Sequence, residues 1–286
     1  MFRYFPIVFS GFSFLFLLSM IGFIAKDGLP GILEGRVFSS YFWDFRSGSF
    51  NIFSMAIGTF MVSFGGALLA SPIALGAAIY TSEYLSGSRR ALIKIMIELL
   101  AGVPSVVYGL LGIAFILPNI TPLIIAAGGD SGDSLLAGVL VLAIMILPTV
   151  MTFADDALRC VPKEMREEAL GLGLSRLQVI FFVVLVKARK GLIGANMLGL
   201  GRAIGETIAI YLVIGRSDMP FSPESFSLQA FIGSGQTFTT KLGGAELAIA
   251  YGDDMHWQSL MSIALCLWFC VASLSYLSEK IIGKTQ

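Results

Sequence analysis

An arginine and a glutamate, Arg202 and Glu206, lie four residues apart inside a long apolar segment. A charged side chain in membrane hydrocarbon costs about 2.5–3.5 kcal/mol on insertion scales, so such residues face a protein interior or a cavity. Residues at i and i+4 share a helix face, which predicts that both side chains point into a polar path. A guanidinium offers planar, paired donors that match the oxygens of an oxyanion. The alternative is a packing role, in which the two charges neutralise each other between glycines that let helices approach closely.

Three hydroxyl residues, Thr207, Ser105 and Tyr108, are weaker candidates for lining the same path. Each is equally compatible with a hydroxyl that bonds inside a helix bundle and has no further role. His256 is the only histidine, so no metal site is predicted. We expect His256 to be an exposed loop residue.

The composition identifies the surroundings of these residues. Of the 286 residues, 56% are hydrophobic and 13% are charged, whereas about 25% are charged in a typical soluble domain. The chain has 19 basic and 19 acidic residues, and it therefore lacks the basic excess of a nucleic-acid binder. Three cysteines are too few for a disulfide scaffold. The composition therefore indicates an integral membrane protein that contacts lipid.

Six segments are long and apolar enough to cross a membrane, which takes about 20 residues of helix. They predict an all-α membrane protein with one domain over residues 1–286. The expected spans are 6–24, 53–80, 93–117, 134–153, 192–214 and 257–277. Thirteen Lys and Arg residues, Arg3 and Lys284 among them, fall on one side of this arrangement and five on the other. The positive-inside rule then places both termini in the cytoplasm.

The loop at 156–190 differs from the rest of the chain because it is rich in charge. Pro162 suits the first turn of a helix, and residues 163–170 are good helix formers of mixed charge. Gly171 and Gly173 are expected to end that helix. Composition alone is compatible with a solvated charged loop or with a protruding helix that binds a partner.

The same loop resembles a known motif. Glu167, Glu168 and Ala169, followed after three residues by Gly173, resemble the EAA loop of ABC importer permeases, E-A-A-x3-G-x9-I-x-L-P. Glu168 stands where the motif has its first Ala, and Val183 and Val186 replace the Ile and the Pro. Three further segments, 99–109, 142–148 and 197–207, resemble helix motifs of PstC-type phosphate permeases.

The resemblance implies a six-helix, MetI-like permease of a type I ABC importer in a bacterial or archaeal plasma membrane. It implies that the chain forms a pore with a PstA-type permease and takes phosphate from a periplasmic or extracellular binding protein. It also implies a substrate path through Arg202 and Glu206. An ATPase dimer, which would bind the ATP and Mg, is then expected to dock on the loop through the following residues: Glu167, Glu168, Ala169, Gly171 and Gly173. No cofactor is expected in this chain, and it is expected not to be an enzyme.

Other functions remain open at this stage. An ABC importer of the same kind could carry another oxyanion, such as sulfate or molybdate. A proton-coupled secondary carrier would use Glu206 as its proton relay, but such carriers often show internal repeats, and none is evident in the sequence. A membrane-embedded enzyme would need a nucleophile with its base, or a metal, and the sequence offers neither.

Overall fold

The computed structural model describes residues 5–218 and 228–283. Arg3 and Lys284 of the charge count, and residues 219–227 of the loop at 216–256, lie outside the described residues. No strand occurs within those ranges, which agrees with the predicted all-α class. The ordered loops hold two isolated β-bridges, Asp44 with Ser49 and Gly215 with Gly235.

The described residues form thirteen α-helices and four short π- or 3-10-helical segments. The α-helices are α1 Phe5–Leu33, α2 Phe53–Glu83, α3 Gly87–Ala101, α4 Ser105–Leu111, α5 Leu117–Ala126, α6 Leu135–Arg159, α7 Lys163–Gly171, α8 Arg176–Gln178, α9 Leu185–Ile204, α10 Ile208–Tyr211, α11 Phe238–Leu242, α12 Glu246–Ile249 and α13 Asp254–Gly283. The π-helical segment Gly112–Ile116 joins α4 to α5, and Val179–Val184 joins α8 to α9. The 3-10 segments are Arg36–Phe38 and Leu228–Ile232.

Five helical stretches in the described residues are long and apolar enough to cross a membrane: Val8–Leu33, Phe53–Glu83, Ser105–Ala126, Leu135–Arg159 and Asp254–Ile281. The third of them differs from the expected span at 93–117. The chain leaves the helix at Gly102 and restarts at Ser105, after Pro104. Proline disfavours helical backbone at the residue before it and lacks a backbone donor. The apolar segment is therefore divided into the separate helix α3 and a later spanning helix.

The segment expected as a fifth span, 192–214, is not one continuous helix. The helix that starts at Arg176 runs through α8, the π-helical segment and α9, and it ends at Ile204. Gly205, Glu206 and Thr207 lie in a break, and the four-residue helix α10 follows. A hydropathy pattern does not reveal such a break, because apolar residues flank it on both sides.

The helices α2, α6 and α9 form the centre of the molecule, and small residues bring them close together. A Cβ at Gly66 of α2 would lie 2.9 Å from Leu142 Cβ of α6. Small residues at helix contacts are the usual means of packing in membranes, where hydrophobicity does not drive association. The helix α1 instead packs along α13 at the periphery, and its apolar residues, such as Phe12 and Leu15, are exposed. This face suits contact with lipid tails.

The two ends of the molecule differ in construction. One end, which we call the α7 end, holds the C-terminal turns of α2 and α6 together with α3, α7 and α8. The opposite end, the α11 end, holds a buried cluster built from the 37–55 segment, α11 and the first half of α13, and its core contains Trp43, Phe50, Phe238 and Leu260. The break at Gly205–Thr207 lies at the end of α9 that is nearer α11, since Glu206 contacts that helix directly.

Candidate functional site

The helix break separates Arg202 from Glu206. The prediction that they share one face of a continuous helix is wrong, because α9 ends at Ile204, between them. Within the described residues no ion pair joins the two side chains. Glu206 Oε1 instead accepts a hydrogen bond of 3.1 Å from the backbone nitrogen of Ala209. Its carboxylate thus caps the first turn of α10, where a helix favours negative charge.

Arg202 is held by the central helix α6. Its Nη1 donates a hydrogen bond of 2.6 Å to Thr149 Oγ1, and the side chain is partly buried. A guanidinium carries five N–H donors, and Thr149 is its only hydrogen-bond partner among the described residues. The arrangement leaves an oriented cation with donor capacity beside a helix break. Thr149 was missed in the sequence, although it directly follows the 142–148 motif.

The hydroxyl candidates lie in different settings. Tyr108 is buried, and its hydroxyl donates a hydrogen bond of 2.7 Å to the carbonyl of Leu100, which ties α4 to α3. The α4 helix also meets α10, because a Cβ at Gly109 would lie 3.0 Å from Ala209 Cα. Ser105 is the first residue of α4 and is partly buried. The structure therefore brings α4 against the helix that follows the break, while the hydroxyl of Tyr108 is already engaged.

The short helix α11 packs on the break itself. Thr239 Oγ1 donates a hydrogen bond of 2.7 Å to the backbone carbonyl of Glu206. Thr207 lies against the end of the same helix, since a Cβ at Gly243 would lie 2.6 Å from Thr207 Cγ2. Thr239 was missed in the sequence, because the long polar loop that holds it has no helical or strand periodicity that would place it.

A buried charge network anchors α11 on its other side. Lys241 is 2% exposed, and its Nζ lies 2.8 Å from Asp218 Oδ2 and 2.5 Å from Glu246 Oε2. The same ammonium lies 4.8 Å from the centre of the Trp43 ring, within range of a cation–π contact. Glu246 also accepts a hydrogen bond of 2.5 Å from Trp43 Nε1 and lies 3.0 Å from His256 Nε2. The expectation of an exposed His256 is wrong, because it is 1% exposed in this network.

The network holds one ammonium between two carboxylates. Burial raises the pKa of Asp218 above its ordinary value, and the Lys241 charge offsets only part of that effect. Burial disfavours the charged form of a carboxyl group. As pH falls, Asp218 therefore takes up a proton at a higher pH than an exposed aspartate would.

At the α7 end, the helix α7 is fixed to the core by Arg166. Arg166 Nη2 lies 2.8 Å from Glu83 Oε1, at the end of α2. The same nitrogen donates a hydrogen bond of 2.9 Å to the carbonyl of Leu158, near the end of α6. The guanidinium Nε also bonds Glu83 Oε2 at 3.3 Å. A two-point contact of this kind fixes geometry as well as charge. A force on α7 would therefore reach α2 and α6 directly.

A second ion pair fastens α3 to the same region. Arg90 Nη2 lies 2.5 Å from Asp155 Oδ2 of α6, with both side chains largely buried. Thr81 Oγ1 of α2 donates 3.1 Å to the other oxygen of Asp155. Breaking one partner of such a pair would leave an uncompensated buried charge. Buried ion pairs and hydrogen bonds therefore join four helices at the α7 end, α2, α3, α6 and α7.

The predicted docking residues of α7 divide into a buried and an exposed set. Ala169 is buried in the cluster formed with α2, α6 and α9. Glu167, Glu168 and Gly171 are exposed. Leu172, which follows the helix, is 82% exposed. One face of α7 thus packs on the core, while the opposite face leaves acidic and apolar side chains exposed.

Gly173 ends α7 in the way the sequence predicts. Its φ of +88° lies in the left-handed region, which glycine adopts without steric cost. The backbone nitrogen of Gly173 donates a hydrogen bond of 2.9 Å to the carbonyl of Leu170. The nitrogen of Leu174 donates one of 3.2 Å to the carbonyl of Ala169. These bonds satisfy the last carbonyls of the helix, as in a Schellman cap. The glycine therefore sets the direction in which the chain leaves α7.

Together these features define a helical membrane permease. Its fold has spanning helices, a break in one helix beside a charged residue, and a short helix presented at one end. The chain belongs to the family described as "Binding-protein-dependent transport system inner membrane component", which it matches over residues 70–282.

Similar proteins agree with this membership. The chain is 32% identical to the phosphate transport system permease protein PstC of Mesorhizobium japonicum over 267 residues, covering 85% of this chain and 78% of that protein. It is 31% identical to PstC of Haemophilus influenzae over 261 residues, covering 86% and 80%. It is 37% identical to the probable ABC transporter permease protein YqgH of Bacillus subtilis over 175 residues, which is 61% of this chain and 56% of that protein.

The fold is similar to that of solved ABC transporters. An inward-facing structure of the MetNI methionine ABC transporter matches with a TM-score of 0.57 at 15% identity, covering 82% of this chain and 95% of that chain. An amino acid ABC transporter with histidines matches with a TM-score of 0.52 at 17% identity, covering 82% of this chain and 92% of that chain. These similarities confirm the predicted MetI-like permease fold.

Proposed function

We propose that this chain is a pore-forming permease subunit of an ATP-driven phosphate importer. The observation that carries the proposal is Arg202, an oriented guanidinium with one hydrogen bond to Thr149, next to a break in the fifth apolar segment. Irregular backbone at membrane depth is tolerated where it is buried in protein or lines a water-filled cavity. Relatives named as phosphate permeases support phosphate as the anion.

The chemistry of the path suits hydrogen phosphate. The guanidinium of Arg202 would bind phosphate oxygens through paired N–H donors. Glu206 uses Oε1 to cap α10, and its second oxygen would accept from the P–OH group, which sulfate lacks at neutral pH. The nearby carboxylate keeps the path close to neutral, so that the anion binds but also leaves. Thr207 and Ser105 would complete the lining, with Tyr108 in a supporting position.

The α7 end would dock the ATPase dimer, which binds ATP and Mg. In this arrangement Glu167, Glu168 and Gly171 contact the ATPase, while Ala169 and the Gly173 cap hold α7 on the core. Arg166, through Glu83 and Leu158, would carry the movement of α7 into α2 and α6. The α7 end and both termini then lie in the cytoplasm. In addition to the five spanning helices, α9 and α10 together cross the membrane as a sixth, interrupted span.

The α11 end would face a phosphate-binding protein on the outside of a bacterial or archaeal plasma membrane. A PstA-type permease would form the other half of the pore. The exposed apolar face of α1 would lie in lipid.

Competition experiments test the substrate. In proteoliposomes that contain both permeases, the ATPase and the binding protein, we expect unlabelled phosphate to suppress uptake of labelled phosphate. Sulfate and molybdate at the same concentrations should leave it unchanged, because neither offers a P–OH donor to Glu206. Equal suppression by sulfate or molybdate would instead assign the chain to another oxyanion importer.

A further inference from the structure

We infer that Thr239 of α11 is a positioning residue for the substrate path, which holds the Glu206 backbone so that its carboxylate faces the anion. The inference rests on the proposed function, since it gives Thr239 its role through Glu206. Thr239 lies 33 positions after Glu206 in the chain and belongs to a different helix.

The hydrogen bond from Thr239 meets a specific need of the break. The Glu206 carbonyl lies between α9 and α10 and belongs to neither helix, and a carbonyl that is shielded from water without a partner is costly. The Thr239 hydroxyl supplies that partner to the Glu206 carbonyl at 2.7 Å. The peptide after Glu206 is thus fixed from outside its own helix. Because the Glu206 side chain caps α10 three residues later, fixing the peptide also fixes the carboxylate.

The helix α11 is itself held firmly enough to serve as a support. Thr237 and Thr240 form a reciprocal capping box at its first turn. The nitrogen of Phe238 donates 2.9 Å to Thr59 Oγ1 of α2. At the other end of the helix, Lys241 is 2% exposed and is bound by Asp218 and Glu246. A five-residue helix has little stability of its own, so these three attachments keep Thr239 in place.

The contact therefore links two parts of the molecule. Glu246 also bonds Trp43 and His256. The buried charge network is therefore connected through α11 to the backbone of Glu206. A support of this kind keeps a side chain at the geometry that its function needs.

The test is a double-mutant cycle in the assembled importer, reconstituted with its partner permease, ATPase and binding protein. We expect Thr239→Val, which keeps the shape and removes the hydroxyl, to lower ATP-driven phosphate uptake about tenfold, the scale of losing one hydrogen bond. Thr239→Ser should restore uptake to within about twofold, because it keeps the donor. In a Glu206→Gln background, Thr239→Val should change uptake by less than about twofold, since residues that act as a unit are not additive.

A matched control separates this role from general packing. The hydroxyl of Thr121 in α5 donates a hydrogen bond of 2.6 Å to the carbonyl of Leu117, four residues earlier in the same helix. Thr121→Val removes a hydroxyl in the same way, and we expect it to leave uptake unchanged.

Two results would overturn the inference while leaving the proposed function standing. One is a wild-type rate for Thr239→Val while Glu206→Gln is impaired. The other is full additivity of the two changes, which would mean that Thr239 acts on packing and not through Glu206. If Glu206→Gln alone leaves uptake unchanged, the proposed path fails and the inference fails with it, so the two failures are distinguishable.

Discussion

Replacing Arg202 with alanine should reduce ATP-driven phosphate uptake by at least about 100-fold, because truncating one partner of a desolvated charge contact costs several kcal/mol. The guanidinium of Arg202 is oriented by its hydrogen bond to Thr149, and it lies beside the helix break. Arg202→Lys keeps the charge but loses the planar pair of donors, so it should recover only part of the rate. The measurement is uptake of labelled phosphate at matched protein levels.

Arg216 provides the control for this variant. Arg216 lies shortly after α10 and is exposed, and its guanidinium donates a hydrogen bond of 2.6 Å to the Tyr211 hydroxyl. Arg216→Ala removes the same charge nearby and should leave uptake within about twofold of wild type, as is usual for a surface change. Normal uptake by Arg202→Ala at normal protein levels would remove Arg202 from the path.

Gly173→Asp should uncouple ATP hydrolysis from phosphate uptake. The φ of +88° at Gly173 costs a residue with a Cβ about 1–2 kcal/mol. Apart from the adjacent residues of the chain, no atom lies within 4 Å of the position that a Cβ would occupy, so the effect would come from backbone strain and the new charge, not from a clash. The strain would alter the Schellman-type cap of α7 and redirect the docking segment. We expect ATPase activity to persist while uptake per ATP falls at least about tenfold, as for a coupling energy of 1–3 kcal/mol.

Gly252 gives a matched control at the opposite end of the molecule. It has a φ of +102° and equally open space around its Cβ position. Gly252→Asp introduces the same kind of strain and charge in the loop before α13. We expect this variant to stay coupled. Full coupled transport by Gly173→Asp would refute the docking role of the segment.

The sequence was sufficient for the helical class, the spanning segments at 53–80 and 134–153, and the helix α7 with its glycine end. These features depend on local composition, because apolar length defines a span and Gly173 defines a cap. The family resemblance also pointed to the permease fold. All of these follow from residues that are neighbours in the chain.

The helix breaks could not be predicted in the same way. Gly102 and Pro104 interrupt an apolar stretch that was expected as one span, and Gly205 interrupts another. Glycine also occurs inside continuous helices here, as at Gly66 of α2, so its presence alone does not mark a break. What stabilises the break after Ile204 is distant in sequence, because the bond from Thr239 comes from another helix.

The buried network at the α11 end shows the same limit. Trp43 bonds Glu246 across 203 positions, and no local pattern links these two residues. The sequence predicts His256 to be a loop residue because it precedes the expected span at 257–277, but it lies in the first turn of α13. Its stacking on Phe45, with ring centroids 5.1 Å apart, depends on how the loop at 37–52 folds back.

The most direct test of the account is the energy source of transport. Proteoliposomes with this chain, a PstA-type permease, the ATPase and the binding protein should take up phosphate only when ATP is supplied to the side of the α7 end. A proton gradient without ATP should drive no uptake. Uptake that ignores ATP and follows the proton gradient would contradict the account and would favour a secondary carrier with Glu206 as its proton relay.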